Sequence, residues 1–155
     1  MFVLLQHGSF VPSAAVAVDE PLAVIVNPTS YSGPLSADRL EAVFTMSQRD
    51  WSPGKPIIPF NYSPGFTMRD TFDRAVLGMA PDEVARYWID RRIRGLGDSP
   101  RKVPSVALMR RVVAKLPGAI GYVPVSAVLP DVRVVAWVKD GHVVSPPPSA
   151  AGGAR

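Results

Sequence analysis

The chain has 155 residues, 47% of them hydrophobic, with 17 prolines, no cysteine and a formal charge of +4. That length fits one domain with a sizeable core. The prolines fall mostly between apolar runs, as in a loop-rich α/β chain rather than a collagen-like or fully disordered one. The absence of cysteine excludes disulfides, thiolate metal ligands and a cysteine nucleophile.

Residues 1–20 carry two readings. Phe2 to Leu5 is too short to cross a bilayer and no lysine or arginine precedes it, yet Ala14-Ala-Val-Ala17 before Asp19-Glu20-Pro21 resembles a small-residue cleavage site. The segment therefore reads as a truncated signal peptide or as a disordered leader. No other run is long enough for a transmembrane helix. The low-complexity stretch 145–155, rich in Pro, Ala and Gly, can bury almost nothing and is expected to be a disordered tail. Residues 21–144 remain for the folded lobe.

Within the lobe, Leu22-Ala-Val-Ile-Val26 is a continuous β-prone run, expected as a buried strand. Ser36 stands at an N-cap position, with Leu40, Val43 and Phe44 on one helical face. Pro53-Gly-Lys-Pro56 predicts a turn and Ile57-Ile58 a short strand, with Trp51 packed at the joint. Thr67 followed by Asp70 resembles a capping box, so a helix is expected from Met68, with Met68, Phe72, Val76 and Leu77 as its apolar face and Gly78 as its stop. Pro81, Asp82 and Glu83 open the next helix, which carries Val84, Tyr87 and Trp88. Ser105 caps another, with Leu108, Val112 and Leu116 on one side. Ala119 to Val123 has strand character, a helical turn follows near Pro124 or Ser126, and Val132 to Val138 predicts a last strand before an Asp140-Gly141 hairpin turn.

Two features bear on chemistry. Between residues 82 and 111, eight arginines and lysines stand against four carboxylates, a local excess equal to the whole formal charge of +4. This reads either as a solvated helix face or as a surface that attracts an anionic partner. At the helix expected from Met68, unpaired backbone N–H groups favour an anion; Ser63 and Thr67 offer hydroxyls, Gly65 permits close approach and Arg69 adds a cation, with Phe66 and Met68 completing the turn. The competing reading is plain capping, in which the Asp70 carboxylate occupies the electropositive end. Only two histidines are present, and no metal-ligand spacing, nucleophile elbow or phosphate-binding Walker loop is found, so neither enzyme chemistry nor a cofactor is implied.

The order Val24-Ile-Val-Asn-Pro28, Leu35-Ser36, Trp51, Pro53-Gly54, then Gly65 to Phe72, Val76-Leu-Gly78 and Pro117-Gly-Ala-Ile-Gly-Tyr-Val123 resembles the phosphate-binding periplasmic solute receptors of ABC importers. The resemblance covers about residues 22–136 and implies a type II periplasmic-binding-protein-like single lobe, α/β, with a central mixed sheet flanked by helices. It further implies export to the periplasm or cell surface, a small oxyanion such as phosphate as ligand, and an ABC permease or another envelope protein as partner. Relatives of full length clamp phosphate between two lobes, whereas this chain has residues for one. Where the family carries an arginine before Ser-Gly-Thr, this chain has Tyr62 and Phe66-Thr67-Met68, so most of the family's phosphate ligands are absent. A second reading is therefore an interaction module with a decayed ligand site, meeting a protein or membrane through Arg91, Arg92 and their neighbours. Nucleic acid is disfavoured as a partner, because the basic region lacks interleaved aromatics in a known module. Gly118, Ala119 and Gly121 are expected to serve close helix–strand packing beside the ligand-facing edge.

Overall fold

The computed structural model of the chain describes residues 20–145. The leader and tail expected at the two ends lie outside the described residues, apart from their innermost positions.

Eight strands and four helices follow in the order β1 (Leu22–Val26), α1 (Ala37–Phe44), β2 (Asp50–Ser52), β3 (Lys55–Pro56), β4 (Ile58–Tyr62), α2 (Thr67–Leu77), α3 (Pro81–Ile93), β5 (Arg101–Val103), α4 (Val106–Lys115), β6 (Ala119–Pro124), β7 (Arg133–Lys139) and β8 (His142–Val144). Six strands form one mixed sheet in the order β5-β4-β6-β1-β7-β8, and β2 with β3 makes a separate hairpin. β4 runs parallel to both β5 and β6, while β1 is antiparallel to its neighbours β6 and β7. This is the mixed sheet with flanking helices that the family resemblance implies.

β1 is central, and all five of its side chains are buried. Each buried Val, Leu or Ile there stabilises the fold by about 1.5–3 kcal/mol relative to exposure, which is why a continuous apolar run sits in a middle strand. α1 begins as expected: the Arg39 N–H donates to Ser36 Oγ at 3.3 Å, and Leu40, Val43 and Phe44 point into the core. In α3 the Ala80 N–H donates to Glu83 Oε2 at 2.7 Å, and Gly78 closes α2 with φ of 65°. β7 turns into β8 at Asp140 and Gly141, both with positive φ.

Three expectations shift. α2 is capped at Phe66, not Thr67, and no side chain closes its first turn. Thr67 is the first helical residue, so Arg69 takes the third position and the capping box fails. In this register Phe66 stacks on Tyr62 with ring centroids 5.4 Å apart. α4 starts at its Ser105 cap but turns Met109 and Val113 inward, while Leu108 and Val112 are only half-buried; the buried face is one residue on from the expected one. β5 and β8 are short additional strands at the sheet edges.

The glycines of the 118–121 segment are packing devices. A Cβ on Gly121 would fall closer than 3.0 Å to Met109 Sδ, so the missing side chain lets α4 lie on β6. Gly118 has φ of 88°, and a Cβ there would come inside the same limit against the Pro56 carbonyl oxygen. Its N–H donates to Ser30 Oγ, while its carbonyl accepts from Trp51 Nε1 at 3.1 Å and from the Ile58 N–H at 2.9 Å. Trp51 is thus packed at the joint, as its position implied. Gly118 lies where β6 begins, at the opposite end of the parallel strands from the start of α2.

Candidate functional site

β4, β5 and β6 are mutually parallel, so their C-terminal ends share one edge, and α2 and α4 both begin there. β6 also borders the antiparallel β1, so the edge is where strand direction changes. Such edges collect helix N-termini and are where open α/β sheets hold ligands.

The six residues singled out from the sequence form one turn at this edge. Ser63 follows β4 and its N–H donates to the Val103 carbonyl at 3.2 Å, tying the turn to β5. Gly65, with φ of 99°, is exposed, and open space surrounds its would-be Cβ. The Phe66 carbonyl accepts from the N–H groups of Arg69 and Asp70, at 3.0 and 3.2 Å. The N–H groups of Thr67 and Met68 and the hydroxyls of Ser63 and Thr67 have no hydrogen-bond partner among the described residues. Thr67 is exposed, whereas Met68 and Phe66 are half-buried against the core.

A groove of about 270 Å³ opens beside this turn. Gly65 and Arg69 line it, with Asp70, Trp88 and Arg92 from the helices and Lys102 from β5. Ser63, Phe66, Thr67 and Met68 flank the groove without lining it. Asp70 makes no hydrogen bond to the α2 amides, so the helix start is not closed from within.

Beneath the groove lies a buried polar network. Arg69 Nε donates to Asp73 Oδ2 at 3.2 Å and Arg69 Nη1 to the Tyr62 carbonyl at 2.9 Å. Asn61 Nδ2 donates to Asp73 Oδ1 at 3.1 Å, Asn61 Oδ1 accepts from the Tyr122 hydroxyl and the Tyr62 N–H, and the Tyr62 hydroxyl reaches the Tyr122 carbonyl at 2.9 Å. Burial raises the Asp73 carboxyl above its ordinary range, while the Asn61 and Arg69 hydrogen bonds and the Arg69 charge oppose that rise. Burial likewise pushes the Tyr62 and Tyr122 hydroxyls up. The network locks the end of β4 to α2. Arg69 Nη2 remains uncommitted among the described residues.

The arginine-rich region proves largely self-compensated on α3: Arg86 pairs with Asp82, Arg92 with Asp98 at 3.1 Å and Arg94 with Asp90 at 3.0 Å. Arg91 lies over the Tyr87 and Trp88 rings, 5.5 and 5.8 Å from their centroids. Exposed pairs of this kind contribute little stability, and they leave the region's excess charge on the arginines and lysines outside these pairs.

The fold is similar to that of several solved proteins. An ABC-type phosphate transport receptor from Vibrio cholerae superposes with a TM-score of 0.56 at 17% identity, over 75% of this chain and 45% of that one. A protein from Clostridium perfringens, described as a phosphate ABC transporter substrate-binding protein and solved with phosphate bound, gives 0.61 at 20% identity, over 79% and 46%. PstS from Borrelia burgdorferi gives 0.53 at 15% identity, over 68% and 41%. No family model and no curated protein matches the sequence. The chain therefore has the α/β fold of a single lobe of phosphate-type substrate-binding proteins, and it spans less than half the length of those it resembles. No helix of the described residues is long and apolar enough to cross a membrane.

Proposed function

We propose that this chain is an exported, non-catalytic receptor lobe that binds phosphate or another small oxyanion at the first turn of α2. The observation that carries the reading is the open helix start: two N–H groups, of Thr67 and Met68, and two hydroxyls, of Ser63 and Thr67, are left without partners beside a groove at the sheet edge. A helix of this length concentrates roughly half a positive charge at that end, and unpaired amides there suit an anion. Gly65 gives a ligand access to backbone, and Arg69 supplies Nη2 while its other nitrogens hold Asp73 and Tyr62. Phe66 and Met68 anchor the turn against the core. The structural neighbours support this choice, since they are phosphate-binding transport proteins by description.

Affinity is expected to be modest. Asp70 brings a carboxylate to the groove, and Arg92 is already paired with Asp98. Completion of the site by an ABC permease or another envelope protein is the partner role that follows. Isothermal titration of the purified chain with phosphate and sulfate tests the reading: heat saturating in the micromolar to millimolar range supports it, and no heat at millimolar ligand removes it.

A further inference from the structure

At the other end of the parallel strands, a concavity of about 470 Å³ lies between the segment after α1 and the loop joining α3 to β5. Met46, Ile58 and Pro59 give it an apolar lining, and two arginines, Arg49 and Arg101, line it as well. Neither arginine is ion-paired among the described residues. The carboxylate in the lining, Asp98, is held by Arg92 at 3.1 Å. Asp50, next to Arg49 in sequence, makes no ion pair with it.

A third guanidinium stands behind the loop. Arg49 Nη2 donates to the Leu96 carbonyl at 3.3 Å, and Arg91 Nη2 donates to the same carbonyl at 3.2 Å. Arg91 has no ion pair among the described residues, and its Nε is buried without a hydrogen-bond partner. Two cations thus converge on one neutral acceptor, and a third, Arg101, lines the same concavity as Arg49. Uncompensated like charges beside a low-dielectric wall focus a positive field into the hollow. In the groove beside α2, Arg69 and Arg92 are both paired with carboxylates and Lys102 is the lining cation without an ion pair among the described residues, whereas here Arg49 and Arg101 both line the hollow without one.

We infer that this concavity binds an amphiphilic carboxylate, its head gripped by Arg49 and Arg101 and its apolar body laid over Met46, Ile58 and Pro59. The guanidinium fork matches a planar carboxylate and donates two parallel hydrogen bonds to it. A small hydrated oxyanion would leave the apolar lining wet, and the hollow lies in the volume range of sites for small organic ligands. The ligand class therefore differs from that of the α2 site.

The test is an NMR titration of the ¹⁵N-labelled full chain with octanoate, octanol and inorganic phosphate in separate arms. Octanoate should shift the amides of Gly97, Asp98 and Arg101, which line this concavity and not the α2 groove, and Arg101→Gln should weaken that binding roughly tenfold. Arg101 has no side-chain hydrogen bond among the described residues, so its loss leaves the loop intact; Arg49→Gln should weaken binding similarly. Octanol should leave those amides unmoved. No octanoate shift at millimolar ligand, shifts confined to other residues, equal affinity in Arg101→Gln, or octanol binding as well as octanoate would each overturn the inference. Phosphate reports on Thr67 and Met68, so the two sites fail or survive independently.

Discussion

Replacing Gly118 with alanine attacks the joint between the β2–β3 hairpin and β6. The backbone there has φ of 88°, and the new Cβ would come within 3.0 Å of the Pro56 carbonyl oxygen. The left-handed conformation costs an L-residue about 1–2 kcal/mol, and relieving the overlap costs about 1–3 kcal/mol more. Rotation away from the clash is opposed by the bonds to Ser30, Trp51 and Ile58, which engage every polar group of the residue. The expected loss is about 2–5 kcal/mol, a large part of the 5–15 kcal/mol typical of a domain. In urea this lowers the midpoint by roughly 1–2 M at unchanged slope. Gly65→Ala is the internal control: its φ is 99° but nothing lies within 4 Å of the added carbon, so only the conformational part, about 1–2 kcal/mol, should appear. Equal losses in the two variants, or a Gly118→Ala loss below about 1 kcal/mol, would refute the close approach to Pro56 as the reason for that glycine.

Gly121→Ala should destabilise by about 1–3 kcal/mol through its overlap with Met109, and the same substitution in a Met109→Ala background should cost much less; additive losses in a double-mutant cycle would contradict the packing of α4 on β6. Asp73 has a folded-state carboxyl raised above its ordinary value, chiefly by burial, so its contribution to stability is fully present below about pH 4 and is lost as the pH rises through the raised value. The stability difference between wild type and Asp73→Ala, from urea titrations, should therefore narrow between about pH 4 and neutrality; a difference that widens over that interval would reverse the sign assigned to burial.

Elements announced by contiguous residues were legible in the sequence. Leu22 to Val26, the Ser36 and Ser105 caps, Pro81 with Glu83, and Asp140-Gly141 each encode their structure within a few positions, and all are present. β5 was not legible, because Arg101-Lys-Val103 is a strand only by pairing with Phe60, Asn61 and Tyr62, some forty residues earlier. Nothing in its sequence neighbourhood marks Asp73 as buried; its surroundings come from Asn61, and through it from Tyr122. The cap of α2 moved from Thr67 to Phe66 because an aromatic stack on Tyr62 and the inward reach of Arg69 fix the register, and neither is a local signal. The turn at 63–69 stands out in the sequence by its hydroxyls and glycine, whereas Lys102 and Trp88 enter the groove only through the fold.

One pair of substitutions at Thr67 decides whether the unpaired amides at the start of α2 receive an oxyanion. Proline is favoured at a first helical position, and the preceding Phe66, at φ −77° and ψ 125°, already has the extended backbone that a following proline requires. Thr67→Pro therefore deletes one free N–H with the helix intact, while Thr67→Val deletes only the hydroxyl. Phosphate titration followed by calorimetry should show binding weakened roughly tenfold or more in Thr67→Pro and less in Thr67→Val. Phosphate binding of undiminished strength in Thr67→Pro would contradict the claim.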